Sequence, residues 1–292
     1  MVRSHTLLLT HAHPDDEVFG TGGILAKYAA AGHRTVVVYC TRGEVGEIHD
    51  PDLDAEEAAG RLGEIREREV REAAEILDIK EMYFLGYRDS GMAETDDNRH
   101  PEAFMNAPFD EAVGRLLDIM REVAPDVVVT YDDDGGYGHP DHVLCIRVTV
   151  EAFKRAQGQP WAPRKLYYSA RAREGFRRQV QALAEHGIKT PWVNDDFNFD
   201  EYGTPESEIT AHIDISQYVG LKKRALAVHR TQIPADFFYL SIPDDALSAA
   251  SGTEYFLRVF PPSLPGEHEA DLFAGLDQHG DVSRSVEVRS SL

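Results

Sequence analysis

Short apolar runs alternate with amphipathic stretches along the first two-thirds of the chain. Residues 6–9, 34–40, 82–85, 126–131 and 165–169 are compact apolar or β-branched runs of strand length. Between them, apolar residues recur at helical spacing over 22–31, 54–77, Phe109–Val123, Pro140–Ala156 and an Arg-rich stretch near 171–186. In the second of these, Leu62, Ile65, Val70, Ala73, Ile76 and Leu77 share one face. Gly32 closes the first helix and Pro125 the third. Strands alternating with helices predict an α/β fold, a Rossmann-like doubly wound and mainly parallel sheet with right-handed crossovers. In the strand order 3-2-1-4-5, strands one and four are neighbours at the switch point, where ligands bind.

The final third is less regular. It predicts a strand over 209–215, a helix over 216–230 with a serine cap, and a strand over 257–260. The expected organisation is a core over 1–190, a C-terminal α+β subregion over 191–277 that packs on the core and shapes the substrate pocket, and a polar tail over 278–292 that frays.

Composition narrows the class. Of the 292 residues, 42% are hydrophobic, enough for a globular core. No apolar stretch approaches the roughly 20 residues that span a bilayer. The formal charge of -21 disfavours nucleic acid and anionic membrane surfaces. Cys40 and Cys145 both lie in apolar runs, which reads as buried free thiols in a cytoplasmic protein rather than a disulfide. The sequence leaves assembly into a homo-oligomer open.

Two polar clusters carry the chemistry. His11-Ala12-His13-Pro14-Asp15-Asp16-Glu17 follows the first strand, and Gly135-Gly136-Tyr137-Gly138-His139-Pro140-Asp141-His142 follows the fourth. Carboxylates at such density repel unless something positive sits among them, and a divalent metal is the simplest candidate. Catalytic zinc takes three protein ligands and leaves a position for water. His13 and an aspartate of the first loop, with His142 from the second, supply such a set. Nitrogen and oxygen donors suit zinc, though iron, cobalt or manganese could also bind. One aspartate of Asp15 and Asp16 is then a ligand and the other a neighbouring general base; spacing alone does not separate them. His139 could be a further ligand, or could present an imidazolium to a developing oxyanion with Asp141 orienting it. The Tyr137 hydroxyl, on a glycine-flanked loop, could donate to the same oxyanion.

The chain resembles the PIG-L/LmbE zinc N-deacetylases in His13-Pro14-Asp15-Asp16-Glu17 with Gly22-Gly23, and in His139-Pro140-Asp141-His142. Arg88-Asp89-Ser90-Gly91-Met92, Lys165-Leu166-Tyr167-Tyr168 and His229-Arg230-Thr231-Gln232-Ile233 are similar to the branch containing the mycothiol-pathway deacetylase and mycothiol conjugate amidase. The resemblance implies removal of an acyl group, usually acetyl, from a glucosamine-type amine in a small conjugate. It implies zinc on His13, Asp16 and His142, Asp15 as general base, His139 as general acid or oxyanion stabiliser, and Tyr137 as carbonyl polariser. It also implies substrate-hydroxyl contacts at Arg66, Asp89 and Glu44. The segment Val18-Phe19-Gly20-Thr21 departs from the mycothiol enzymes toward the wider family.

Other classes fit less well. An amidase of glucosaminyl-thiol conjugates is a close variant. A dinucleotide-binding protein would need a glycine-rich turn where His13-Pro14-Asp15-Asp16 stands, and these carboxylates would repel a pyrophosphate. A non-catalytic metal-dependent sugar binder would not need a carboxylate beside the metal. No Gly-x-Ser-x-Gly elbow supports a serine nucleophile.

Overall fold

The computed structural model describes residues 4–132, 135–190, 198–199, 202–264 and 266–276. The expected strands form: β1 (Thr6–His11), β2 (Arg34–Tyr39), β3 (Glu81–Phe84), β4 (Val127–Thr130) and β5 (Lys165–Ala170). They run parallel in the order β3-β2-β1-β4-β5, as the alternating pattern implied. Two later strands, β6 (Ala211–Asp214) and β7 (Thr253–Phe260), extend the same sheet antiparallel beyond β5.

The sheet is covered on both faces, so alternate strand residues feed different cores. Leu7, Leu9, Val37, Val127 and Val129 enter one apolar cluster, and Leu8, Val36, Val38 and Val128 enter the other. Helices α1 (Asp16–Ala30) and α3 (Leu62–Leu77) supply the first cluster, together with α7 (Val219–Ala227). Helices α4 (Phe109–Val123) and α5 (Pro140–Ala156) supply the second. Cys40 and Cys145 are both free and buried in this second layer. Among the described residues, no helix is long and apolar enough to cross a membrane.

β7 starts four residues earlier than the strand expected over 257–260, and three helices differ from the sequence expectation. First, α1 begins at Asp16, six residues before the apolar periodicity, so Asp16 and Glu17 of the first polar cluster belong to the helix and residues 12–15 form the turn that leads into it. Second, residues 54–77 split into α2 (Ala55–Ala59) and α3, because Gly60 and Arg61 interrupt the helix. Third, the helix expected over 216–230 is a 3-10 turn (Ser216–Tyr218) followed by α7. Ser216 gives no side-chain cap there; its own N–H donates to Asp214 Oδ1 at 2.9 Å. The last third also holds α8 (Phe238–Ser241) and α9 (Asp244–Ser251), short elements the pattern did not reveal. The tail expected to fray lies outside the described residues.

Candidate active site

The two polar clusters meet at the carboxyl ends of β1 and β4, which are adjacent in the sheet. Asp16, the first residue of α1, and His13 just before it face His142 in the first turn of α5. His13 Nδ1 stands 3.3 Å from His142 Nε2, and Asp16 Oδ2 stands 3.4 Å from each of those nitrogens. Three donors at about 2.0–2.1 Å from a tetrahedral ion are about 3.3–3.4 Å apart, so this triangle fits zinc-like coordination.

The outer partners fix the tautomers. His142 Nδ1 faces the Gly135 carbonyl at 2.9 Å, which assigns the proton to Nδ1 and leaves Nε2 free to ligate. His13 Nε2 faces Asp141 Oδ2 at 3.2 Å and Asp89 Oδ1 at 3.5 Å, which likewise frees Nδ1. A Cβ at Gly135 would lie 2.6 Å from the His142 Cβ, and its φ of +67° is left-handed, so that position requires glycine. Burial would lower the pKa of His13, yet Asp89, Asp141 and Asp16 together raise it well above the ordinary value. His142 is likewise raised, chiefly by Asp16 against its own burial. The cluster therefore draws positive charge to itself, as a cation site must. Ring nitrogens of His13, His139 and His142 also come within 4.8 Å of one another, so His139 stands close to the same position.

Asp15 sits beside this triangle in an unusual conformation. Its φ of 102° is positive for a non-glycine residue, the kind of strain that collects at functional sites. Its N–H donates to Glu17 Oε2 at 2.8 Å, and Arg66 Nη2 donates to the preceding Pro14 carbonyl at 2.6 Å. Burial pushes the Asp15 carboxyl up to about 6, against the lowering effect of Arg66.

His139 is the N-cap of α5, and its Nδ1 accepts from the Asp141 N–H at 3.1 Å. Burial and then the charge of His13 lower the His139 pKa to about 4, which disfavours the expected imidazolium, and the Asp141 N–H on Nδ1 places the proton of a neutral ring on Nε2. Nor does the Asp141 carboxylate orient His139. It accepts from His13 Nε2, from the Ser90 N–H at 2.9 Å and from the Ser90 hydroxyl. The helix start turns the Asp141 side chain toward β1, leaving only its backbone N–H for His139. Tyr137 is 61% exposed, with its hydroxyl 3.5 Å from His142 Nε2.

The three expected substrate contacts are engaged within the protein. Arg66 is buried and bonds the carbonyls of Gly43 and Pro14. Asp89 is buried, accepts from the Gly91 N–H at 2.8 Å and faces His13. Glu44 accepts from the Asp89 N–H at 3.0 Å. Arg66 and Asp89 are buried within this network, whereas Glu44 is partly exposed at its edge.

Sequence reasoning gave no role to Tyr131, nor to Ser90 and His229, which it noted only within motifs of the resemblance. Tyr131 follows an apolar strand and carried no metal-ligand signal, yet its hydroxyl donates to Asp16 Oδ2 at 2.7 Å and accepts from the Ala12 N–H at 2.6 Å. Beside the site lies a cavity of about 830 Å³, walled by Tyr131, Asp132 and Gly136 and reaching Phe19, Lys222 and Tyr239.

Residues 8–153 match the family profile described as PIG-L, GlcNAc-PI de-N-acetylase. A 1D-myo-inositol 2-acetamido-2-deoxy-alpha-D-glucopyranoside deacetylase from Acidothermus cellulolyticus is 42% identical over 297 residues, covering 98% of this chain and 100% of the relative. A protein of the same name from Thermobifida fusca is 41% identical, covering 92% of this chain and 98% of the relative. Among solved structures, N,N'-diacetylchitobiose deacetylase from Pyrococcus horikoshii aligns with a TM-score of 0.56 at 24% identity, covering 90% of this chain and 85% of that one. GalB, the 4-carboxy-2-hydroxymuconate hydratase of Pseudomonas putida KT2440, aligns with the same TM-score of 0.56 at 21% identity, covering 89% of this chain and 98% of that one. At those identities the likeness is one of fold, and a fold that carries both a deacetylase and a hydratase leaves the reaction to the site.

Proposed function

The chain belongs to the PIG-L family of de-N-acetylases, and from that premise we propose that it hydrolyses the N-acetyl group of a glucosamine joined to inositol. The observation that carries the reading is the His13–Asp16–His142 triangle with Asp15 beside it. The near full-length relatives named as deacetylases of that conjugate support the substrate.

His13 Nδ1, Asp16 Oδ2 and His142 Nε2 are the donors we assign to one divalent ion, of which zinc is the best match to two imidazoles and a carboxylate. Bound there, the ion supplies Lewis acidity, which makes a water acidic and polarises an amide carbonyl. Asp15 accepts the proton of the attacking water. A carboxyl titrating at about 6 is largely ionised at neutral pH, and once protonated it is acidic enough to pass that proton to the departing amine. His139 Nε2 and the Tyr137 hydroxyl donate to the oxyanion as it develops, so they act more on the transition state than on the substrate. Arg66 holds the Pro14 carbonyl and so the Asp15 turn, and Asp141 holds His13. The cavity beside Tyr131 far exceeds an acetyl group. It takes the sugar's aglycone, with residues of the C-terminal subregion such as Lys222 and Tyr239 forming its far wall.

The test is acetate release from a set of N-acetylglucosamine conjugates (inositol, malate, diacetylchitobiose and cysteinylated forms) by metal-reconstituted protein. Preferential turnover of the inositol conjugate is the expected result. Turnover of none of them, or of every one alike, contradicts the assignment.

A further inference from the structure

The segment His229-Arg230-Thr231-Gln232-Ile233 follows α7, far in sequence from either polar cluster. It nonetheless bonds to three parts of the core. Arg230 Nη2 pairs with Asp50 at 2.8 Å, the Thr231 N–H donates to Glu69 Oε1 at 2.8 Å, and Gln232 Nε2 donates to the Glu47 carbonyl at 2.8 Å. His229 reaches furthest inward. Its Nε2 lies 3.0 Å from Glu17 Oε1, and both side chains are fully buried at 0% exposure. The other ring nitrogen, Nδ1, has no hydrogen-bond partner. Among the described residues, the polar part of this buried ring is spent on Glu17 alone.

Glu17 uses its second oxygen on Asp15. Oε2 accepts the Asp15 N–H at 2.8 Å, at the residue whose φ is 102°. Asp15 is the N-cap residue of α1, and the Glu17 carboxylate is the group that accepts its N–H. A carboxylate with rotamer freedom would hold such a strained turn poorly; a carboxylate clamped at its other oxygen holds it well. We infer that His229, acting through Glu17, is a positioning residue that fixes the Asp15 turn and so aims the general base. It does not touch substrate. The inference rests on the reading of Asp15 as the base, and it gives the His229 segment a task beyond packing: the C-terminal subregion sets the geometry of the catalytic turn.

The experiment compares His229→Gln, His229→Asn and His229→Ala in the full chain loaded with zinc. A glutamine amide reproduces the position of Nε2, whereas an asparagine amide falls short of Glu17. The N-acetylglucosaminyl-inositol conjugate is the substrate. Asparagine and alanine should lower kcat between about tenfold and a hundredfold, the scale expected for a displaced catalytic group, with KM little changed. Zinc should stay at the wild-type stoichiometry, and glutamine should restore most of kcat. Hydrogen exchange at the Asp15 amide should speed up in the asparagine variant and stay slow in the glutamine variant. Equal kcat and equal exchange in these two variants overturn the inference, and so does a kcat loss that merely follows zinc loss. That comparison survives even where the alanine variant does not fold. Wild-type protein that released no acetate would refute the reaction instead, and the amide exchange would still decide the positioning.

Discussion

The Tyr131 ring lies flat on the His142 imidazole, with centroids 4.3 Å apart and planes at 12°, while its hydroxyl donates to Asp16 Oδ2 at 2.7 Å. One side chain thus braces two of the three proposed ligands. Tyr131→Phe keeps the stacking and removes the hydroxyl's bonds to Asp16 and Ala12. Zinc affinity, measured by competition with a chromogenic chelator, should weaken about tenfold to a hundredfold, as is usual when a ligand loses its outer partner. An unchanged dissociation constant would show that the brace is idle.

Asp141 stands behind His13 in the same way. Asp141→Asn turns a charged acceptor into an amide whose NH2 group can face His13 Nε2, loosening the ring. Zinc affinity should again fall, by a larger free energy than the folding stability of the metal-free protein loses. A variant that loses stability but binds zinc as tightly as the wild type would reduce Asp141 to packing.

Asp15→Asn separates chemistry from metal binding. Turnover should drop by about 10²–10⁴, the usual contribution of a positioned base, while zinc content stays the same. Metal-free protein gives a second readout. The Asp15 pKa is raised by burial from 3.8 to about 6, so folding binds the proton more tightly than the unfolded chain does. Stability from this group is present below about 4 and is lost as pH rises through about 6, a cost on the order of 3 kcal/mol at neutral pH. Metal-free Asp15→Asn should therefore melt higher than metal-free wild type at pH 7 and no higher at pH 4. A lower melting temperature at pH 7 would contradict the burial of an ionised carboxylate here.

The same titration sets the acid limb of the rate. Asp15 must be ionised to accept a proton, so kcat/KM should fall as pH drops below about 6. A nearby cation favours the carboxylate and moves the limb lower, never higher. His139 gives no limb near neutrality, because burial and His13 hold its pKa at about 4. An activity that rose on acidification from pH 7 to pH 5.5 would be incompatible with Asp15 as the base.

The parallel core and the two polar clusters that meet at its edge were legible because each depends on local pattern. A strand buried on both faces reads as a continuous apolar run, as 127–129 does, and carboxylates crowded around His13 announce a cation. What was not legible depends on distant contacts. The apolar period of α1 begins late because Asp16 and Glu17 point into the site, so the helix start was hidden. Tyr131 reads as the end of a strand until Asp16 is brought to its hydroxyl. Asp141 is adjacent to His139's neighbour in sequence, yet its carboxylate crosses to β1, a turn that only the start of α5 dictates. Arg66 and Asp89 are expected from the resemblance as substrate contacts, and the fold buries them against Gly43 and His13, a placement their local sequence does not reveal. His229 gave no sign of reaching Glu17, since that pairing joins residues 212 positions apart.

The central claim is that His13, Asp16 and His142 hold one divalent ion that the hydrolysis requires. Metal content by mass spectrometry and acetate release, measured together on wild type and His142→Ala, test it most directly. The account predicts one ion per chain and turnover in the wild type, and loss of both in the variant. A variant that retains a full equivalent of metal and turns over normally would contradict it.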